Sequence, residues 1–213
     1  MPTSHMIPSD IAFTPAVKAI QARRGSRHAY ARMEEGRGWN TTITPELAAF
    51  IAAQTSAFLA TANAAGQPYI QHRGGPPGFL QVRDERTIAC VEYRGNRQFI
   101  THGNLAENPK AHLFLIDYAN RQRIKLWGEA RVIEADDASS ADTVRSDARP
   151  RGEPVLEFRV LAWDANCPKH IPQRFDAVDV ERLLAQRDQR IAELEAELAR
   201  CRERADQMPA VVR

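Results

Sequence analysis

The side chains best suited to chemistry stand together at Tyr93-Arg94-Gly95-Asn96-Arg97. Before them Thr87 to Val91 alternates apolar and β-branched residues as a half-buried strand does, and after them a helical run from Asn96 towards Glu107 stops short of Pro109. The turn is therefore expected at a helix N-terminus, where unpaired backbone N–H groups carry partial positive charge. Two arginines added there, with a guanidinium that can fork onto phosphate oxygens, make an anion cradle the central chemical expectation. Arginines at a turn also serve simply as solvated charge, so the turn takes its meaning from its surroundings.

Two further clusters invite chemistry. Trp163 to Pro172, W-D-A-N-C-P-K-H-I-P, gathers functional side chains on an expected loop. Its Cys167 and His170 form a C-x-x-H without a companion pair, which is weak grounds for zinc, and spacing verifies no Cys/His/Asn nucleophile. No metal is expected. Arg73-Gly74-Gly75-Pro76-Pro77-Gly78 lacks G-x-G-x-x-G and is followed by no helical period, so it is not a dinucleotide fingerprint. Adjacent glycines beside an arginine let backbone N–H groups approach a ligand, and the prolines stiffen the exit; a tight structural loop fits the same residues. No general acid or base stands out.

The elements that must position these groups can be read in order. Thr14 caps a helix starting at Pro15, with Val17, Ile20 and Gln21 on one face, and a short helix is expected from His28 to Glu35. Arg23, Arg24 and Arg27 read as surface cations near a helix C-terminus. Thr44-Pro45-Glu46 opens a helix with Leu47, Phe50 and Ile51 on its apolar stripe. Ser56 to Ala62 and Pro68 to His72 form a hairpin, and Phe79 to Val82 with Thr87 to Glu92 a second. In the helix after the basic turn Phe99, Ile100 and Leu105 read as core, leaving Gln98, Thr101 and His102 to face a ligand. Ala111 to Tyr118 reads as a strand buried on both faces. Arg121 to Glu134 is a long strand that puts Arg123 and Lys125 on one face. Asp136 to Asp147 reads as a short helix before a strand from Val155 to Trp163.

A 213-residue chain with 43% hydrophobic and 26% charged residues is an ordinary soluble globule with appendages. No apolar run is long enough to span a bilayer and no signal-like leader opens the chain, so a cytoplasmic location without membrane contact is expected. A net charge of +2, with basic residues interleaved among acids, gives no footprint for nucleic acid. Cys90, Cys167 and Cys201 are odd in number and far apart, so no disulfide framework is indicated.

Four blocks carry a resemblance: Pro68 to Phe79, Gly95 to Leu105, Leu113 to Tyr118 and Arg123 to Gly128. In this order the chain resembles the pyridoxamine 5′-phosphate oxidase-like flavin-nucleotide-binding proteins, and Phe13 to Arg27 resembles the branch known only as predicted flavin-nucleotide-binding. The resemblance spans roughly residues 10 to 172. It implies a mainly β fold with helical additions, a split β-barrel that binds FMN at a homodimer interface. It implies Arg94, Asn96 and Arg97 at the phosphate, with Tyr93 and Gln98 beside them, and His72, Arg73, Gly74, Arg123 and Lys125 as further cofactor contacts. Trp163 and Cys167 would lie on a segment reaching the neighbouring subunit's flavin. Such cations suit a dianionic phosphate and a reduced ring with negative charge near N1. The activity implied is an FMN-dependent oxidoreductase acting on a small molecule, with NAD(P)H as candidate donor and the substrate open. Alternatives are a non-catalytic flavin carrier or sensor, and a haem-binding split barrel using His102 or His170.

The tail carries the clearest period. Val180, Leu184, Arg187, Ile191, Leu194, Leu198, Cys201, Ala205 and Met208 alternate spacings of four and three, a heptad seam interrupted by one arginine. The expected organisation is an N-terminal helical extension over 1–43, a split-barrel flavin-binding domain over 44–172 and a C-terminal coiled-coil helix over 173–213.

Overall fold

Seven strands form one antiparallel sheet in the computed structural model, which describes residues 7–36, 38–93, 95–134, 153–165 and 168–206. They are β1 (Ser56–Ala62), β2 (Pro68–Gly74), β3 (Gln81–Val82), β4 (Thr87–Val91), β5 (Lys110–Asp117), β6 (Gln122–Ile133) and β7 (Val155–Ala165), in the order β2-β1-β5-β6-β7-β4-β3. Helices α1 (Pro15–Arg23), α2 (Arg27–Glu35), α3 (Pro45–Ala53) and α4 (Ile100–Glu107) accompany the sheet. The chain divides into two compact units, Met1–Ile171 and Pro172–Arg213. The second holds α5 (Ala177–Asp206), a helix of 30 residues. No described helix is long and apolar enough to cross a membrane.

Strand alternation sets the faces. Ala57, Leu59, Leu113, Leu115, Leu126, Phe158 and Val160 point to a continuous core with Leu47 and Ile51 of α3. The Leu47 N–H donates to Thr44 Oγ1 at 3.3 Å, so the helix starts at the expected cap. β5 differs from the expected strand buried on both faces: Ala111, Leu113 and Leu115 are buried, whereas His112, Phe114 and Ile116 stand half-covered on the outer face. Part of that outer face is covered by the N-terminal segment, through an aromatic ladder. Trp39 stacks on Trp127 at 4.5 Å and meets Phe13 at 5.1 Å, which meets Tyr30 edge-on.

The extension has its own polar lock. Gln21 is buried while Ile20 is exposed, the reverse of an apolar stripe, because Gln21 Oε1 accepts from Arg27 Nη1 at 2.8 Å. Arg27 also ion-pairs with the nearly buried Glu34, so it fastens α1 to α2 rather than serving as a solvated surface cation.

The sheet is strongly curled. A small cavity of about 10 Å³ is lined both by Leu59 and Arg73 near one edge and by Leu80, Ile88 and Cys90 near the other. A register shift between Trp127 and Gly128, opposite β7, contributes local bending. At Gly128 an added Cβ would sit 2.7 Å from the Phe158 ring and nearer still to the Arg159 carbonyl. Gly128→Ala is therefore expected to cost about 1–3 kcal/mol through overpacking, read as a lowered urea midpoint with an unchanged m-value.

Candidate functional site

The curl brings Arg73, on edge strand β2, against Glu92 just beyond β4, although these strands are not hydrogen-bonded neighbours. The two side chains are 12% and 7% exposed and their charges are in contact. Even so, among the described residues neither Nε nor Nη2 of Arg73 nor Oε1 of Glu92 has a hydrogen-bond partner of good geometry. Glu92 Oε2 lies 3.2 Å from His102 Nε2 on α4. The Glu92 backbone N–H donates to the Pro154 carbonyl at 2.9 Å, fixing the carboxylate beside β7. Beneath it the Cys90 thiol is pushed up to about 12, by burial first and then by the Glu92 charge, with Arg73 opposing. That makes it an inert core group.

Above this floor opens a cleft of about 180 Å³. β2 contributes Tyr69, Gln71 and Arg73, the residues on one side of its pleat. The other wall is the loop from Gly95 to Phe99 with the first turn of α4. Here the structure corrects the expected helix from Asn96: α4 begins at Ile100. Asn96 Oδ1 accepts the Gln98 N–H at 3.2 Å, an Asx turn that competes with helix formation. Arg97 and Phe99 then adopt left-handed φ values of 60° and 52°. Such conformations are costly for side-chain-bearing residues and cluster where structure is held for a purpose.

The late start also changes which face of the helix is buried. Thr101, Asn104 and Leu105 are buried at the i, i+3, i+4 spacing. Phe99 and Ile100, expected in the core, are 55% and 38% exposed and line the cleft. α4 is held by polar hooks: Thr101 Oγ1 donates to Gln71 Oε1 at 2.7 Å, Asn104 Nδ2 to Thr61 Oγ1 at 3.0 Å and Asn108 Nδ2 to the Ala62 carbonyl at 3.2 Å.

The family model for Pyridoxamine 5′-phosphate oxidase matches residues 43–167, more than half of the 213-residue chain. The chain belongs to this family. No curated protein matches it. Among solved structures it is similar to HupZ of Group A Streptococcus, at 21% identity over 62% of this chain and 99% of that one, with a TM-score of 0.47. HutZ, the haem storage protein from Vibrio cholerae, is 15% identical over 55% of this chain and 89% of that one, with a TM-score of 0.41. An FMN-binding protein from Syntrophomonas wolfei is 13% identical over 71% and 97%, with a TM-score of 0.39.

In this member of the pyridoxamine 5′-phosphate oxidase family the cleft gathers Arg73, Tyr93, Asn96, Arg97 and Gln98. The expected contacts Arg94 and Cys167 lie outside the described residues, as does the short helix expected from Asp136 to Asp147. The remaining expected contacts are not in the cleft. His72, one residue from Arg73, falls on the opposite side of β2, where Nε2 lies 2.8 Å from Ser56 Oγ and the ring meets Phe58 edge-on at 5.5 Å. Gly74 pairs with Ser56, and the following Gly75 N–H donates to the Thr55 carbonyl at 3.1 Å, tying the glycine loop to the end of α3. Arg123 and Lys125 lie on the outer face of β6, with Lys125 Nζ 3.5 Å from Asp164 and 5.3 Å from the Trp127 ring centre. Trp163, expected both to end a strand and to open the loop, lies within β7, which runs on to Ala165: its backbone bridges Asn40 and its indole Nε1 donates to the Thr42 carbonyl at 2.8 Å.

Glu92, Tyr69, Gln71, Glu153 and Pro154 also line the cleft without having been singled out in the sequence. The signal for Glu92 is an acid directly after an apolar strand; that for Tyr69 and Gln71 is their two-residue spacing from Arg73.

Two outcomes follow. Glu92→Leu alone should destabilise by about 3 kcal/mol, because it leaves a buried guanidinium uncompensated, whereas adding Arg73→Met should recover most of that loss; a double-mutant cycle in urea measures both. His112, on the outer face against Trp127, is held below the usual 6.5 by burial first and by Lys125 second. As pH falls through 6.5 the unfolded chain takes up a proton that the folded chain resists, so stability should decline from there downward. His112→Gln should flatten that part of the pH–stability curve.

Proposed function

We propose that the cleft is the phosphate-proximal part of an FMN site and that the protein is an FMN-dependent oxidoreductase working as a homodimer. The observation that carries this reading is the Gly95–Phe99 loop, whose two left-handed residues, one of them Arg97, line one cleft together with the nearly buried Arg73. An anionic, hydrogen-bond-accepting ligand fits that donor set. Family membership supports the flavin assignment.

In this reading Arg97, Asn96, Gln98 and the loop N–H groups hold the phosphate, with Arg94 beside them. Arg73 places its charge in the floor beneath the ring system, and Tyr93 and Phe99 flank it with apolar surface. When bound, FMN supplies the redox chemistry. Glu92 orients His102 through Nε2, so the imidazole is the group positioned to hold or pass a proton at the cleft wall.

The cleft is smaller than the roughly 300–1,000 Å³ of sites that enclose a whole ligand, so part of the flavin would project beyond one chain. A second copy supplies the missing wall in this reading. The outer sheet face, with Ile70 63% exposed and Phe58 and Phe114 partly covered, offers the apolar surface for that dimer. Gly74, His72, Arg123, Lys125 and the segment bearing Trp163 and Cys167 would then serve the second copy's flavin. In this reading the seven strands close as a split barrel.

The test is titration with FMN, followed by flavin fluorescence and the visible spectrum. The wild-type chain should bind FMN and show a flavin spectrum. Arg97→Ala should weaken binding at least about tenfold, the equivalent of one charge-assisted contact, with the difference shrinking at high salt. Undiminished FMN retention by that variant would overturn the phosphate assignment, and a Soret band in place of flavin absorption would favour haem at His102. Bleaching of the bound flavin by NADPH or NADH separates an enzyme from a carrier.

A further inference from the structure

We infer that α5 pairs with α5 of a second copy as a parallel, in-register, two-stranded coiled coil whose orientation is chosen by its flanking charges. The helix runs for 30 residues with its apolar side uncovered: Val180, Leu184, Ile191, Leu194 and Leu198 are each 41–50% exposed. That stripe follows the alternating four-and-three spacing of a coiled-coil seam, with Leu184, Ile191 and Leu198 at a and Val180, Arg187, Leu194 and Cys201 at d.

The occupant follows from the residues bordering the seam. Position g carries Leu183, Arg190, Glu197 and Arg204, and position e carries Glu181, Asp188, Glu195 and Arg202, and the pairs charged on both sides decide the orientation. In a parallel pair each g residue faces the e residue five positions on in the other helix. Arg190 then meets Glu195 of the second copy, and Glu197 meets Arg202. Each contact occurs twice by symmetry, and all are of opposite sign.

An antiparallel pair that keeps the seam matched sets Leu184 against Cys201 and brings e residues to e residues. It also brings g residues to g residues. Arg190 then meets Glu197, and among the e residues Glu181 meets Arg202, both with opposite sign, but Asp188 opposes Glu195, a like-charge contact that occurs twice and that the flanks of the parallel pair lack. A partner of unrelated sequence would have no reason to match this self-complementary order. Within one helix Arg190 Nη1 contacts Glu193 Oε2 at 2.9 Å on an exposed surface. Such a pair is weak enough to give way to a contact across the seam. Arg187, at a d position, faces its own counterpart when the pair is in register, which sets two like charges across the seam and costs stability there, against the attractive contacts on its flanks.

Cys201 reads out the geometry, being a free and exposed thiol. In the parallel pair it faces its own counterpart. In the antiparallel one the two thiols lie about 25 Å apart along the axis, by the rise of 1.5 Å per residue.

The full-length protein is treated with diamide, which takes two electrons and two protons from two thiols as they join in a disulfide and is itself reduced to the hydrazine. Non-reducing electrophoresis should show a covalent dimer in the wild-type chain that is absent in Cys201→Ser. Arg190→Glu, facing Glu195, should slow dimer formation about fivefold, and Arg190→Glu combined with Glu195→Arg should restore it. A wild-type chain that yields no Cys201-dependent dimer overturns the proposal, as does a double variant no faster than Arg190→Glu. Neither readout depends on flavin.

Discussion

A curled antiparallel sheet whose opposite ends meet at a buried ion pair is the constraint from which the rest of the Met1–Ile171 unit follows. Arg73 and Glu92 come from strands that never exchange a backbone hydrogen bond, so their contact exists only if the curvature is right. Two charges taken out of water need each other, and removal of one leaves the other stranded. The pair therefore links a long-range feature of the sheet to the floor of the cleft. His102 then joins α4 to the same carboxylate, and the burial that holds the pair also silences the Cys90 thiol.

The interaction is also incomplete, and that is where chemistry enters. A fully satisfied pair would be only structural, but here two buried donors of Arg73 remain unmatched among the described residues, and the same side chain lines the cleft. Buried polar groups without partners are uncommon in folded chains and call for a ligand or ordered water. The chain belongs to the pyridoxamine 5′-phosphate oxidase family, and the flavin is our proposal for this site; the reaction depends on site details that a fold does not dictate.

Much of the sheet was legible in the sequence because strand alternation and turn residues are local signals. β1, β2, β4 and β6 run within a residue or two of where the pattern of apolar and polar side chains puts them. The pairing of Arg73 with Glu92 was not legible, since it depends on curvature summed over the whole sheet. The start of α4 was misread for a local reason: Asn96 forms an Asx turn instead of entering the helix, and the next two apolar residues, Phe99 and Ile100, read as core only in a helix that begins too early. Arg27 was misread because a buried glutamine has no hydrophobic signature to announce its partner. His72 and Arg73 illustrate the other limit, since a resemblance names a stretch of chain but the pleat sends neighbours to opposite sides.

The way α4 is fastened carries a last implication. Its buried side is Thr101, Asn104 and Leu105, so its hold on the hairpin of β1 and β2 rests on side-chain hydrogen bonds with little grease behind them. Hydrogen bonds of this kind can be exchanged for water at modest net cost, whereas the sheet's apolar interior cannot. One wall of the cleft is thus fastened by polar bonds and a single core leucine, Leu105, while the body it leans on is fastened by apolar packing.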